Sequence, residues 1–400
     1  MRRLAVIAAL LLSACGRQAV TPVFHAELNP PTLADWGVLA SDGKTLSLGD
    51  GVTPYTLQQP LFTDYAHKLR TVWIPEGEAT HVEGAAYDFP VGTVISKTFY
   101  YPVDSGNVLK SDDTQSVNAA RPLDLSGHRL IETRILARRE DGWHPVSYIW
   151  NAEQTEARLA RTGAVVPLTI DARPSPFETS AAQAPQDEGL FKKSPHPEEA
   201  RSAVSKGEGD ITDFAYIVPN ENQCAACHAD NATTGTIRPL GPRPEQLAGS
   251  YDYGNGPVAQ LAQWQATGLS ASDPATDAWP AFADTTAALP KRARAYLASN
   301  CAHCHNPVGP ADTSGLDLTM DADSPVALGT CKLPIAAGSG TGGHRYGIEP
   351  GHPGRSILAY RMASTDPGAM MPELGRALVH AEGLALVRDW ITGLDGTCEG

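Results

Sequence analysis

Thr93-Val94-Ile95-Ser96-Lys97-Thr98-Phe99-Tyr100-Tyr101 is a run of β-branched and aromatic residues with alternating character, the composition that fits a pleated, half-buried surface. Two further runs, Arg129 to Arg138 and Trp143 to Trp150, repeat the pattern with Gly, Asp and Pro punctuation between them. No helix-period stretch of similar quality accompanies them. Residues 15–170 therefore read as an all-β, sandwich-like domain.

Outward from this domain the character changes twice. Residues 171–213 are rich in Ala, Ser, Pro, Glu and Lys, with almost no aliphatic or aromatic anchors. Such a stretch buries too little apolar surface to offset its ordering entropy and reads as a flexible linker or an insertion. Beyond Phe214 the periodicity is helical. Pro257 opens a stretch with Val258, Leu261 and Trp264 that stops at Gly268; Pro290 opens another with Ala293, Tyr296 and Leu297; a last amphipathic segment carries Leu384, Val387, Ile391 and Leu394. The C-terminal half is expected to form two α-rich modules, residues 214–289 and 290–400.

Residues 1–14 read as an address rather than as structure. Arg2 and Arg3 precede an apolar run, Leu4 to Leu12, that is too short to span a bilayer, and Leu12-Ser13-Ala14-Cys15 closes it. That tetrapeptide resembles the lipobox of bacterial lipoproteins, which implies lipidation of Cys15; the alternative is an ordinary secretory signal with an incidental Cys. Either way the chain is expected to be exported; on the lipobox reading it is held in the cell envelope by its lipid, facing the periplasm or the cell surface, and Gly16 after the Cys resembles the outer-membrane sorting pattern. The formal charge of the 400 residues is −14, which becomes −16 on loss of Arg2 and Arg3 (−14 − 2). Such acidity argues against nucleic acid and anionic lipid surfaces as partners and weakly favours basic proteins.

The cysteines carry the chemistry. Cys224-Ala225-Ala226-Cys227-His228 and Cys301-Ala302-His303-Cys304-His305 both fit the c-type haem attachment pattern, Cys-any-any-Cys-His. Two thiols one turn apart reach two vinyl positions of one porphyrin edge, and the adjacent imidazole reaches the iron. With 7 Cys and 12 His in 400 positions, chance supplies roughly 0.004 such matches, so two together are on the order of 10⁻⁵. A thioredoxin-like dithiol needs no His after its second Cys, and a zinc ribbon wants its pairs far closer than 77 residues (301 − 224). Two covalently bound haem c groups are expected, with Cys224, Cys227, Cys301 and Cys304 as attachment residues and His228 and His305 as iron ligands.

Ile348-Glu349-Pro350-Gly351-His352-Pro353-Gly354-Arg355-Ser356-Ile357-Leu358, Arg361, Met371-Pro372 and a closing segment with Trp390-Ile391 resemble planctomycete-type cytochrome c domains. The resemblance implies that Met371 is the distal ligand of the second haem; Met370 or simple packing are the alternatives. A wider resemblance links the chain to a family of bacterial di-haem c-type cytochrome lipoproteins. It rests on Pro60-Leu61-Phe62-Thr63-Asp64-Tyr65-Ala66, Phe89-Pro90-Val91-Gly92-Thr93, Ile131-Glu132-Thr133-Arg134, Tyr148-Ile149-Trp150-Asn151, Pro219-Asn220-Glu221-Asn222-Gln223-Cys224 and Met371-Pro372-Glu373-Leu374-Gly375-Arg376. It implies electron transfer, with substrate and partners undefined; the partner expected here is an unidentified periplasmic or membrane redox protein.

No Met lies between His228 and Cys301, so the first haem has no local distal Met. His67, Met320, Met362 or water are the candidates for its sixth position, while His344, His352 and His380 read as surface or propionate-side residues. A His/Met second haem is expected at higher potential than the first, because a thioether favours ferrous iron. Cys331 and Cys398 are expected to pair in an oxidising compartment, with two separate thiols as the alternative. An electron carrier is the leading reading. A di-haem peroxidase-like or oxidase enzyme with an open first haem is the alternative, and an envelope protein using its haems as redox sensors is the third.

Overall fold

A computed structural model describes residues 20–110, 117–172, 211–272, 274, 276–335 and 337–398. The signal segment 1–14, the lipidation site Cys15 and residues 173–210 of the expected linker lie outside the described residues.

The strands are β1 Leu39–Ser41, β2 Thr45–Leu48, β3 Thr53–Tyr55, β4 His67–Trp73, β5 His81–Glu83, β6 Ala86–Asp88, β7 Val94–Asp104, β8 Asn107–Leu109, β9 Leu123–Asp124, β10 His128–Arg139, β11 Gly142–Trp150, β12 Ala157–Leu159, β13 Ala164–Asp171, β14 Ile211–Val218, β15 Ser250–Asp252 and β16 Pro257–Ala259. The α-helices are α1 Glu221–His228, α2 Pro244–Leu247, α3 Gln260–Ala266, α4 Leu289–Asn300, α5 Ile357–Ala363 and α6 Ala381–Thr392. One large sheet of nine strands dominates, and its long strands β4, β7, β10 and β11 run antiparallel side by side. None of the helices is long and apolar enough to cross a membrane, among the described residues.

Alternation along β7 explains why both faces of this sheet are covered. Val94 and Tyr100 point to one face, where they meet Leu33, Trp36, Leu39, Leu46 and Leu123 from the N-terminal elements. Ile95 points to the other face and packs with Val72, Leu136, Leu247 and Trp264. A strand read as half-exposed in an isolated sandwich is here buried on both sides.

The expectation of an all-β domain followed by two α-rich modules is corrected. The chain is mainly β, 29% strand against 19% helix, around a β half-barrel. Three particulars explain the difference. Ile211–Val218, an alternating run with Tyr216 and Val218 buried, is a strand of the main sheet that pairs with β13 over its whole length. Asp171 pairs with Ile211 there, so the chain leaves and re-enters at one sheet edge. The stretch opened by Pro257 begins as a strand, β16, on which Val258 is exposed, and turns helical only at Gln260. Between Cys301 and Ser356 the chain is turns and short 3-10 segments rather than helix. Gly and Pro, 37 and 32 in the chain, favour such connections.

As a result the first Cys motif has no helical unit of its own, because α2 and α3 supply Leu247 and Trp264 to a core shared with the sheet. The second motif does have a separate apolar cluster, in which Tyr296 and Leu297 of α4, Met362 of α5 and Leu384, Val387 and Trp390 of α6 pack with Leu318 and Ile348. Pro60 to Ala66 joins the two regions. Asp64 Oδ1 accepts from the backbone N–H groups of Ala377 and Leu378, both at 2.7 Å, and the Phe62 ring stacks on His380 at 4.3 Å.

Candidate haem-binding sites

The first motif lies on α1, and its start is written in the sequence. Asn220 Oδ1 accepts from Gln223 N at 2.8 Å while Gln223 Oε1 accepts from Asn220 N at 3.0 Å, a reciprocal capping box. One turn later Cys224, Cys227 and His228 open onto a cavity of about 580 Å³. The second motif follows the end of α4, where Cys304 N and His305 N both donate to Cys301 O in a single turn. Cys301, Cys304 and His305 open onto a second cavity of about 490 Å³. Both volumes fall in the range of ligand sites, ~300–1,000 Å³.

Each imidazole is held by its Nδ1. His228 Nδ1 donates to Arg238 O at 2.7 Å. His305 Nδ1 lies 3.0 Å from Ser314 Oγ, and that hydroxyl donates onward to Ala311 O at 2.7 Å, so it receives the His proton. Both rings therefore carry the lone pair on Nε2, the tautomer a metal-ligating histidine needs. Burial pushes both imidazoles down to about 4, so they are neutral at neutral pH. Among the described residues no three His, Cys, Asp or Glu side chains converge on a metal-ion position. What each cavity does present is two thiols and one oriented imidazole, a donor set that fits a covalently attached porphyrin iron.

The cavities adjoin. Cys227, His303, Pro372 and Leu374 line both, Cys304 Sγ lies 3.4 Å from Ala226 O, and the Cys227 and Cys304 side chains are within hydrogen-bonding reach of one another.

Met371 lines the second cavity, whereas its neighbour Met370 is buried in the core and lines neither. The Met371 backbone is fixed by Arg376, whose guanidinium donates to the carbonyl oxygens of Met371, Arg361, Ser364 and Leu378 at 2.9–3.1 Å. Of the candidates for the sixth position of the first site, Met320 lines the first cavity, Met362 lines the second, and His67 lines neither. His67 is on the opposite sheet face, its ring against Tyr100 at 5.3 Å. His380 is not a surface residue: it is enclosed by Phe62, Tyr65, Phe282 and Tyr296 and reaches Tyr296 Oη through Nδ1 at 2.9 Å. Cys331 and Cys398 form a disulfide with their α-carbons 5.1 Å apart.

One feature of the first cavity escapes a motif-based reading. Lys68, Arg70, Lys97 and Arg134 all line it. They lie on β4, β7 and β10, with Arg70 directly opposite Lys97 and Lys97 directly opposite Arg134. Their common signal is strand parity, visible only once the three strands are paired. Comparisons with family models, with curated proteins and with solved structures give no match to this chain.

Proposed function

We propose that the chain is a di-haem c-type cytochrome that carries electrons in the bacterial cell envelope, held there by a lipid on Cys15 and exchanging electrons with a periplasmic or membrane redox protein. The observation that carries this reading is the repeated constellation: two motifs, each opening two thiols and an Nε2-ready imidazole onto its own cavity. Haem iron, when bound, supplies reversible one-electron chemistry in a site whose potential the protein sets.

The chain's own residues divide the remaining work. Cys224 and Cys227 anchor one group and Cys301 and Cys304 the other, while His228 and His305 ligate. Arg376 holds Met371 at the wall of the second cavity, and Phe62 and His380 close that wall with aromatic surface. The shared lining of Cys227, His303, Pro372 and Leu374 brings the two redox groups into neighbouring compartments, as intramolecular transfer requires. A thioether ligand at the second site places its potential above that of the first.

Mass spectrometry of the chain matured with haem-ligation machinery tests the reading. Two added haems are expected, with one lost from Cys224→Ser/Cys227→Ser and one from Cys301→Ser/Cys304→Ser. Any other stoichiometry sinks it.

A further inference from the structure

Three cations in one cross-strand row are an expensive arrangement. Like charges directly opposite one another on a sheet repel, and enclosing them, with Arg70 buried and Lys68, Lys97 and Arg134 partly so, thins the water that would screen them. Here Arg70, Lys97 and Arg134 form such a row, and Lys68 on the same face of β4 adds a fourth positive charge one row away, opposite Phe99. Among the described residues two carboxylates act on these cations: Glu132, also opposite Phe99, which takes Arg134 Nη2 at 2.5 Å and the Tyr216 hydroxyl at 2.7 Å, and Asp64, which attracts Lys68. Four cations against these two carboxylates leave an excess of two.

The protein offsets this charge only in part. Arg134, Lys97 and Lys68 lie 4.4, 5.3 and 5.9 Å from the centroid of the single Phe99 ring, a weak compensation shared three ways. No acceptor among the described residues takes a hydrogen bond from Lys97, and burial beside Arg134 and Arg70 pushes its ammonium down to about 7. The other arginines of the cavity lining have their own partners, Arg238 with Asp230 and Arg243 with Glu245. Asp321, also in the lining, acts on Arg294. The excess therefore faces the cavity onto which Cys224, Cys227 and His228 open.

We propose that the Arg70–Lys97–Arg134 row, with Lys68, is a carboxylate-binding wall that neutralises the two propionates of the haem held at the first motif. The assignment rests on the di-haem reading above. It deepens that reading by giving the sheet a role: the β-strands supply the electrostatic half of a site whose covalent half is α1. The wall also opposes positive charge at the iron, so it raises the first potential and narrows the gap between the two sites.

Redox titration of the matured protein, with haems counted by mass, tests this. Arg70→Gln and Lys97→Gln, singly and together, are expected to keep both haems and lower only the first potential. The first site's reduction equilibrium should shift by about tenfold per charge removed, the effect of a unit charge at ~10 Å and an effective dielectric of ~20. Lys97→Arg should restore it, and formate added at millimolar concentration should leave both wild-type potentials unchanged. Two haems with an unmoved first potential in the double variant overturn the wall. A wild-type first potential that moves with formate, and stops doing so in Lys97→Gln, assigns the row to a diffusible anion and overturns its occupancy by propionates. A wild-type chain without haem on Cys224 and Cys227 overturns instead the reading beneath.

Discussion

The same five-residue motif occurs twice, in two different surroundings. At the first site the wall opposite α1 is a β-sheet bearing Lys68, Arg70, Lys97 and Arg134. At the second it is made of turns and short helices with Leu316, Leu318, Ile348, Met362 and Met371. The motif is constant while the field around it changes, so under the di-haem reading the surroundings, and not the motif, would distinguish the two sites.

The largest effect expected is at the axial position of the second site. Met371→His replaces a thioether by a stronger donor and should lower the second potential by a substantial part of the ~0.8 V span that axial ligands control, leaving the first nearly unchanged. If the higher potential survives this substitution, Met371 is not the ligand and the contrast between the sites disappears.

Next comes the disulfide, which belongs to the second region only. It closes 67 residues, and the chain-entropy model gives a loop of that size about 4 kcal/mol. Cys331→Ser/Cys398→Ser should lower the urea midpoint accordingly and disturb the second haem's spectrum before the first. Equal disturbance of both would show that the two regions unfold as one.

A smaller loss should follow Arg376→Ala. Its guanidinium gathers four carbonyls around the Met371 loop, and charged hydrogen bonds of this kind are worth about 1.5–3 kcal/mol. Because Arg376 acts on the Met371 backbone, the variant should weaken the sulfur-to-iron charge-transfer band and lower the second potential. A purely structural role would change stability and leave that band intact.

How much of this contrast is legible in the sequence depends on how local each signal is. The attachment motifs are entirely local, and so is the Asn220/Gln223 cap that starts α1. Strand character in Thr93–Tyr101 and Arg129–Arg138 is local too. The choice between Met370 and Met371 is not, since adjacent residues share composition and only the packed loop shows that one faces the cavity and the other the core. The α-rich expectation for residues 214–289 fails for a related reason. Leu261 and Trp264 satisfy helical spacing, but the core they join is built on Val72, Ile95 and Leu136, more than a hundred residues away on the sheet. Lys97 is the sharpest case. A lysine inside an alternating apolar run reads as the solvent-facing position of a half-exposed strand, and that reading requires one bare face. Nothing local reveals that α1 and the loops after it cover the second face, leaving Lys97 between Arg70 and Arg134.

That position supports a last and smallest prediction, in which pH separates the sites. In a Cys224→Ser/Cys227→Ser chain the first cavity has no propionates. The charges facing Lys97 are then Lys68, Arg70 and Arg134 against Glu132, and His228 is already neutral above about 4. The folded chain holds the Lys97 proton with a pKa lowered to about 7 from 10.5. Between those values the unfolded chain binds more protons than the folded one, so stability rises with pH across the window and is flat on either side. Lys68, also pushed well down by burial and by the same neighbours, acts in the same direction. In the matured wild-type protein two carboxylates restore the proton affinity of the row, and the rise should vanish. Urea midpoints at about pH 6.5, 8 and 9.5 for both chains provide the comparison. Parallel curves would mean that nothing anionic occupies the first cavity in the matured protein, and the sheet would lose its proposed part in the site.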